Sequence, residues 1–510
     1  VARAEWENES ASFYNMEQIF TRSLLVVPDV KLWSLYVSYI RRRNSMTTGD
    51  INKSYKIISD SFNFALNNVG MDKDSGRIWQ DYIDFVKSGP GDVRGTGWQD
   101  TQKVDALRAA YQKAISVPMS ALNLLWKEYD SFETGLSKIN VCYNRPPTIA
   151  IANSVSQGRK FLQERSPAYM TARTCYTQLQ NMTKDLDRTT LPKLPPAFGF
   201  EGDTEYMRQV EIWKSWIQWE KDDNLVLKDE DIKAYRDRII FVYKQALMAL
   251  QFWPEMWYDA ADFCFSCGMD KEGLDFLNQG IAANPESCLL AFKLADQIEL
   301  TTANDETSDP GAKLRMQKVR EPYNKVLDSL YELITKARAR EVRNIQKIEA
   351  NLANSNADMA MGGRPVDDED YDTTEVEQRK ATAQVQIDSV KSMVTIQVSI
   401  LQKAISFAWV ALMRACRRIQ GKGMPGERAG GFRTILTEAR KKGRITSDVY
   451  IQSALIEYHC YKDNTATKIF ERGIKLFPDD EIFALEYIKH LIAINDVTSG
   501  SHRSIYITLY

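Results

Sequence analysis

Three histidines, His459, His490 and His502, are the only imidazoles in a chain of 510 residues. Acid–base dyads, triads and HExxH zinc sites therefore have almost no raw material. His459 adjoins Cys460, a possible base and nucleophile, but no third group is placed to orient them, so the pair reads as structural or surface. Cys264-Phe-Ser-Cys267 spells a CxxC without a second CxxC or a downstream histidine pair. A zinc site needs four ligands, and this motif sits at the end of a helical pattern rather than after a strand, so two ordinary thiols are expected. Gly421-Lys-Gly423-Met-Pro-Gly426 matches GxGxxG, but a helical pattern precedes it where dinucleotide binding requires a strand. The sequence thus offers no catalytic residue, no cofactor or metal site and no small-molecule substrate.

Charge is the next chemistry to weigh. Sixty-six basic and 68 acidic side chains give a net charge of -2, which argues against capture of nucleic acid by the whole chain. Two basic clusters, Arg41 to Arg43 and Arg440-Lys-Lys-Gly-Arg444, lie near helix ends, where cations complement the helix dipole. Their second reading is a minor RNA contact or a nuclear-import signal. The acidic run Asp367-Asp-Glu-Asp370 reads as a solvated loop, or as a docking site for a basic partner. Pro192 to Pro195 forms a PxxP in a proline-rich break over 186–203, read as a linker or as an SH3-type ligand. Seven scattered cysteines do not resemble a disulfide framework, and no signal core or run of ~18 uncharged apolar residues is evident. A soluble, intracellular protein without membrane contact is expected.

The elements behind these residues are written in aromatic side chains. Trp33, Tyr36 and Tyr39 recur as Trp79, Tyr82 and Phe85, as Trp126, Tyr129 and Phe132, and as Trp213, Trp216 and Trp219. A spacing of three and three places each triplet on one face of an α-helix and splits it across a strand, so these are helices. Weaker copies follow at Trp257, Phe292, Trp409 and Tyr450, and in four copies Glu follows the third position: Glu133, Glu220, Glu299 and Glu457. A second helix type lies between them, as in Tyr111-Gln-Lys-Ala-Ile and Ile469-Phe-Glu-Arg-Gly-Ile. Its small residue (Ala114, Ala246, Gly280, Gly473) allows close helix approach. Pro28, Pro118, Pro254, Pro285 and Pro478 punctuate the units, giving a helical hairpin repeated about every 45 residues.

An aromatic triplet with Glu on the first helix, and a second helix of the Ala-Arg-x-x-Tyr/Phe type (Ala172, Arg173 and Tyr176 fit it), resembles the HAT (half-a-TPR) repeat over about residues 13 to 496. Longer strings, including Leu32-Trp-Ser-Leu-Tyr-Val-Ser-Tyr-Ile-Arg-Arg-Arg43 and Val210-Glu-Ile-Trp-Lys-Ser-Trp-Ile-Gln-Trp-Glu220, resemble the family of the large HAT subunit of cleavage stimulation factor, counterpart of the yeast cleavage factor IA scaffold. The resemblance implies an all-α, α-α superhelix of HAT repeats in two arms. It also implies a nuclear, non-catalytic scaffold of mRNA 3'-end cleavage and polyadenylation that bridges an RNA-binding subunit and the polyadenylation-signal recognition complex. Its partners would be a second copy and other 3'-end processing proteins, with RNA met mainly through them; the alternative is a HAT-repeat scaffold of another RNA-processing complex, or a helical repeat that binds single-stranded RNA directly. Against that family the sequence begins part-way into the array and stops before the last repeats and a proline-rich tail, so this chain alone is expected not to retain the RNA-binding subunit.

The organisation expected is an N-terminal HAT arm over 1–254 and a C-terminal HAT arm over 255–498, with a charged insertion at about 338–394 and an irregular tail over 499–510. Trp33, Trp79, Trp126, Trp213, Trp216 and Trp257 are the expected repeat core. Tyr458 and Tyr461 fall off the regular core positions and are expected, joined by Tyr487, as exposed anchors of a homodimer. Each repeat is expected to touch only its neighbours.

Overall fold

The computed structural model describes residues 13–44, 51–93, 95, 97–142, 149–188, 191–195, 204–302, 309–361, 369–422 and 431–494. Among these residues there are nineteen helices and no strand. The chain divides into two compact units, Val1–Met256 and Trp257–Tyr510.

The first unit contains α1 (Phe13–Ser23), α2 (Val30–Arg43), α3 (Ile51–Val69), α4 (Gly76–Ser88), α5 (Trp98–Ile115), α6 (Leu122–Cys142), α7 (Ile149–Met182), α8 (Thr204–Lys221), the short α9 (Leu227–Glu230) and α10 (Ile232–Ala249). Each triplet lies on the inner face of its helix because spacing of three keeps the rings within one stripe. Trp33, Trp79, Trp213 and Trp216 are buried as expected. Trp126 departs from the expectation: it is half-buried and lies flat on Tyr169 of α7, centroids 4.4 Å apart and planes 8° apart. The stack covers one face of the indole and leaves an edge in solvent. Asp29 caps α2 by accepting from the Leu32 amide at 2.8 Å, and Asp231 caps α10 through the Lys233 and Ala234 amides.

The second unit contains α11 (Pro254–Ser266, which starts at the end of the first), α12 (Asp270–Ala283), α13 (Cys288–Thr301), α14 (Asp309–Met361), α15 (Glu369–Gln420), α16 (Gly431–Lys442), α17 (Ser447–Tyr461), α18 (Thr465–Leu476) and α19 (Glu481–Ala493). Trp257 is buried against Gly280, where a Cβ would lie 2.9 Å from the tryptophan Cβ. The small position of the second helix type is therefore set by the bulk of its partner.

The expected insertion lies within two long helices. Residues 338–354 and 377–394 continue α14 and α15, helices of 53 and 52 residues packed along each other as one hairpin. At its base Met316, Val319, Leu327, Leu330 and Ile334 pack with Ile405, Trp409, Leu412 and Met413. Farther out the seam narrows to Ile345, Ile348 and Leu352 facing the side of Ala383, Ile387, Val390 and Val394, at the spacings of three and four that a two-helix seam requires. Residues 377–420 include an 18-residue window of mean hydropathy 1.5, long and apolar enough to cross a bilayer by composition. Trp409, Leu412 and Cys416 of this helix are core side chains of the hairpin.

Candidate functional site

The residues that could carry chemistry are scattered by the fold. Cys264 is buried on α11 and Cys267 half-buried in the turn after it, and among the described residues no group of three or more His, Cys, Asp or Glu could hold a metal ion. His459 and Cys460 are exposed at the end of α17. His490 is buried on α19, its Nε2 3.0 Å from the Thr467 hydroxyl, and His502 lies outside the described residues. Gly421, at φ +73°, ends α15, while 423–430 and Asp367–Asp368 of the acidic run lie outside the described residues.

The glutamates that close the triplets have partners that the sequence reading did not assign. Glu133 on α6 accepts from Arg108 on α5 at 2.6 and 3.1 Å. Glu457 on α17 accepts from Arg433 on α16 at 2.5 and 2.9 Å. Glu220 on α8 accepts from Arg238 on α10 at 3.0 and 2.8 Å, and Glu299 on α13 from Arg418 on α15 at 2.9 and 2.7 Å. All four are two-pronged forks, which suit the planar guanidinium and fix the relative rotation of two helices. Burial works against the charge on Arg108, but the Glu133 hydrogen bond and charge outweigh it and raise its pKa further above the ordinary arginine value. Arg108, Arg238 and Arg433 each stand three residues before an inner-face apolar residue (Tyr111, Phe241, Leu436). That Arg-x-x-apolar phrase was the signal available in the sequence.

A polar node in the first unit breaks the neighbour-only expectation. Arg188, in the segment after α7, donates to Asp72, to Asp74 at 2.6 Å and to the Gln245 side chain at 2.6 Å. Gln245 in turn donates to Asp72 at 2.6 Å and to the Pro28 carbonyl at 3.1 Å. Arg188 from the expected linker thus ties α10 to the turn before α4, Gln245 ties α10 to the turn before α2, and Arg188 borders a cavity of 690 Å³ also lined by Asp29, Lys31, Ser34 and Arg77. The PxxP itself is pinned by the Lys193 amide donating to the Ala249 carbonyl at 3.2 Å.

Of the tyrosines expected as exposed anchors, none is exposed. Tyr487 is 2% exposed and stacks on Phe470 with centroids 5.2 Å apart. It belongs to the inner face of α19 because the α18–α19 pair closes over it. Tyr461 is half-buried and stacks on Phe432 at 5.8 Å, and Tyr458 is half-buried with its ring 4.9 Å from that of His490. The basic clusters end α2 and α16 as dipole arguments expect, and Arg43 is paired with Glu17.

A stack of helix pairs tied by aromatic seams and Arg–Glu forks, with no assembled catalytic constellation among the described residues, defines the HAT class of helical-repeat proteins. The chain belongs to the Suf family: the model of the Suppressor of forked protein matches residues 1–506. It is 58% identical to the mRNA 3'-end-processing protein rna14 of Aspergillus fumigatus over 98% of this chain and 46% of that protein. It is 46% identical to RNA14 of Gibberella zeae over 97% of this chain and 47% of that protein. With rna14 of Schizosaccharomyces pombe it shares 29% identity over 96% of this chain and 56% of that protein. The chain spans about half the length of these curated relatives. A crystal structure of CstF-77 superposes with a TM-score of 0.55 at 15% identity, covering 98% of this chain and 78% of that one, a likeness of fold.

Proposed function

We propose that the chain is a non-catalytic scaffold of the nuclear machinery that cleaves and polyadenylates mRNA 3' ends, bridging an RNA-binding subunit and the polyadenylation-signal recognition complex. The observation that carries the reading is 58% identity across 98% of the chain to a relative named for mRNA 3'-end processing. The polar groups support it too: the strongest buried ones, the forks and the Arg188 node, are spent on holding helices together. That is the construction of a protein whose product is a shaped surface. Purification of the tagged chain from nuclear extract, followed by mass spectrometry, should return 3'-end processing subunits. Recovery of another RNA-processing complex instead would assign the scaffold elsewhere.

Self-association through the C-terminal arm, 255–498, is part of the proposal. Its support has moved from the tyrosines to the outer face of α19, where Ile482, Leu485 and Ile492 are exposed on one side of the helix. Light scattering should give about twice the 58.4 kDa chain mass. A monomer at micromolar concentration counts against it.

A further inference from the structure

The outer face of α14 carries a line of cations that the packing does not use. Lys336, Arg340, Arg343 and Lys347 are spaced four, three and four, so all four project from one side of the helix, opposite the seam of Ile345, Ile348 and Leu352. All four are exposed. The line runs about 16 Å along the helix axis at 1.5 Å per residue.

The neutral residues of the same face beyond Glu332 are Leu333, Ala339, Ala350, Asn351 and Asn354, so no acid interrupts the line. Glu332 pairs with Lys336 at 2.7 Å, an exposed pair that salt and a polyanion both displace easily. Arg343 donates its Nε to the Ala339 carbonyl at 3.2 Å. Arg338, on another face, is held by Glu341 at 2.9 Å and is not part of the line. At the base of the line the basic end of α16 lies against the same helix. Lys442 reaches Asp328 at 2.9 Å and sits 5.4 Å from the Tyr331 ring, and the Tyr331 hydroxyl donates to the Gly443 carbonyl at 2.9 Å. Lys441 beside it is exposed.

We propose that this line, Lys336-Arg340-Arg343-Lys347, tracks the phosphate backbone of single-stranded RNA. Three arguments choose that occupant. The step between successive cations, about 5–6 Å along the helix face, is comparable with the distance between phosphates on an extended strand. Their side chains form a one-signed row on a rigid helix, which suits a polyanion of regular charge. An acidic peptide would need apolar pockets to add to the charge, and between 332 and 354 this face offers none, its single bulky apolar residue being Leu333 at the margin. No aromatic side chain lies on the face either, so bases find no platform and the contact is indifferent to sequence. The choice of RNA also rests on the 3'-end processing reading above. The line would supply a direct, weak hold on the transcript beside the hold exerted through partners.

The test is fluorescence anisotropy of the purified chain with labelled 20-nucleotide single-stranded RNAs, one all-uridine and one of mixed sequence, over a salt series. Each phosphate neutralised contributes about 0.7 to the slope of log affinity against log salt. The double substitution Arg340→Ala/Arg343→Ala should flatten that slope by about 1.4 and weaken both RNAs alike, with an unchanged circular dichroism spectrum. Lys113→Ala/Lys127→Ala, at exposed cations of the first unit, should leave the slope as it was. Equal slopes for the Arg340/Arg343 variant and the parent, or no binding at low salt, would overturn the proposal. Binding of polyglutamate as tight as that of RNA, with the same dependence on the two arginines, would reassign the line to an acidic protein. Neither result touches the scaffold reading, which the nuclear purification tests separately.

Discussion

Arg433 grips Glu457 with two nitrogens, at 2.5 and 2.9 Å, across the α16–α17 pair, and the Glu457 side chain is only 1% exposed. Arg108 and Glu133 repeat the relation across α5–α6 in the other unit, with the arginine on the earlier helix and the glutamate one residue after the aromatic stripe. Glu220 uses an arginine on a later helix, α10, instead. The glutamate is thus the constant of the repeat, and the arginine comes from whichever neighbouring helix passes above it.

Removing one partner of such a fork leaves a buried charge uncompensated, which costs about 3–5 kcal/mol. Arg433→Ala, which strands the buried Glu457, should destabilise the second unit on that scale in urea melts, and Glu457→Ala should cost less, because Arg433 is partly exposed and keeps its bond to Asp463 at 3.0 Å. The double variant should lose clearly less than the sum, because the second substitution removes the stranded charge. Additive losses would mean that the fork contributes nothing as a pair.

The Arg188 node predicts an acid dependence. Burial pushes the Asp72 carboxyl up, but the charge and hydrogen bonds of Arg188, with the Asp74 amide and the Gln245 side chain, hold it below the ordinary carboxylate value. A depressed folded pKa means that the stabilisation is complete above the unfolded value of about 3.9 and is lost as pH falls through the folded value. Arg188→Ala should therefore lower the stability of the first unit at pH 7, where Asp72 is left buried and unpaired. Asp72→Asn in that background should recover part of the loss. Denaturant melts of the three proteins at pH 7 decide the pairing, and the gap between the parent and Arg188→Ala should narrow as the pH is lowered below about 3.9.

Two glycines should respond to alanine in opposite directions. At Gly473 of α18 a Cβ would lie 2.3 Å from Cζ of the buried Phe483. The gain in helix propensity, about 1 kcal/mol, is outweighed by overpacking of roughly 1–3 kcal/mol, so Gly473→Ala should lower the melting temperature. Gly135, inside α6, has nothing within 4 Å of an added Cβ. Gly135→Ala should gain about 0.5–1 kcal/mol.

His490 gives the last helix pair a pH response in the other range. Burial and the nearby His459 hold its pKa below the ordinary 6.5. The unfolded chain binds the proton more readily, so stability falls as pH drops below about 6.5 and levels off once the folded pKa is passed. Amide exchange in α18 and α19 should be faster at pH 5.5 than at pH 7.5 after correction for the intrinsic rate. In His490→Asn that difference should shrink.

The aromatic triplets, the small residues of the second helices and the proline stops were legible because each is a local pattern. An i, i+3 stripe fixes its face whatever the rest of the chain does, and a proline ends or starts a helix by its own ring. The repeated helical hairpin came from such patterns. Which arginine meets which glutamate is a property of helices brought together across 18 to 119 residues, and no local period carries it. The same holds for Arg188, whose partners stand 116 residues before it and 57 after. A lone arginine in a proline-rich segment has the same sequence signature whether it is solvated or sealed into a carboxylate pocket. Tyr487 and Trp126 show the limit from the other side. Side-chain type and period placed both on helices, but the depth of burial depends on what the next helix lays over them: Phe470 and its helix over the tyrosine, a single flat Tyr169 over the indole. Periodicity is written one helix at a time, and burial is decided by pairs.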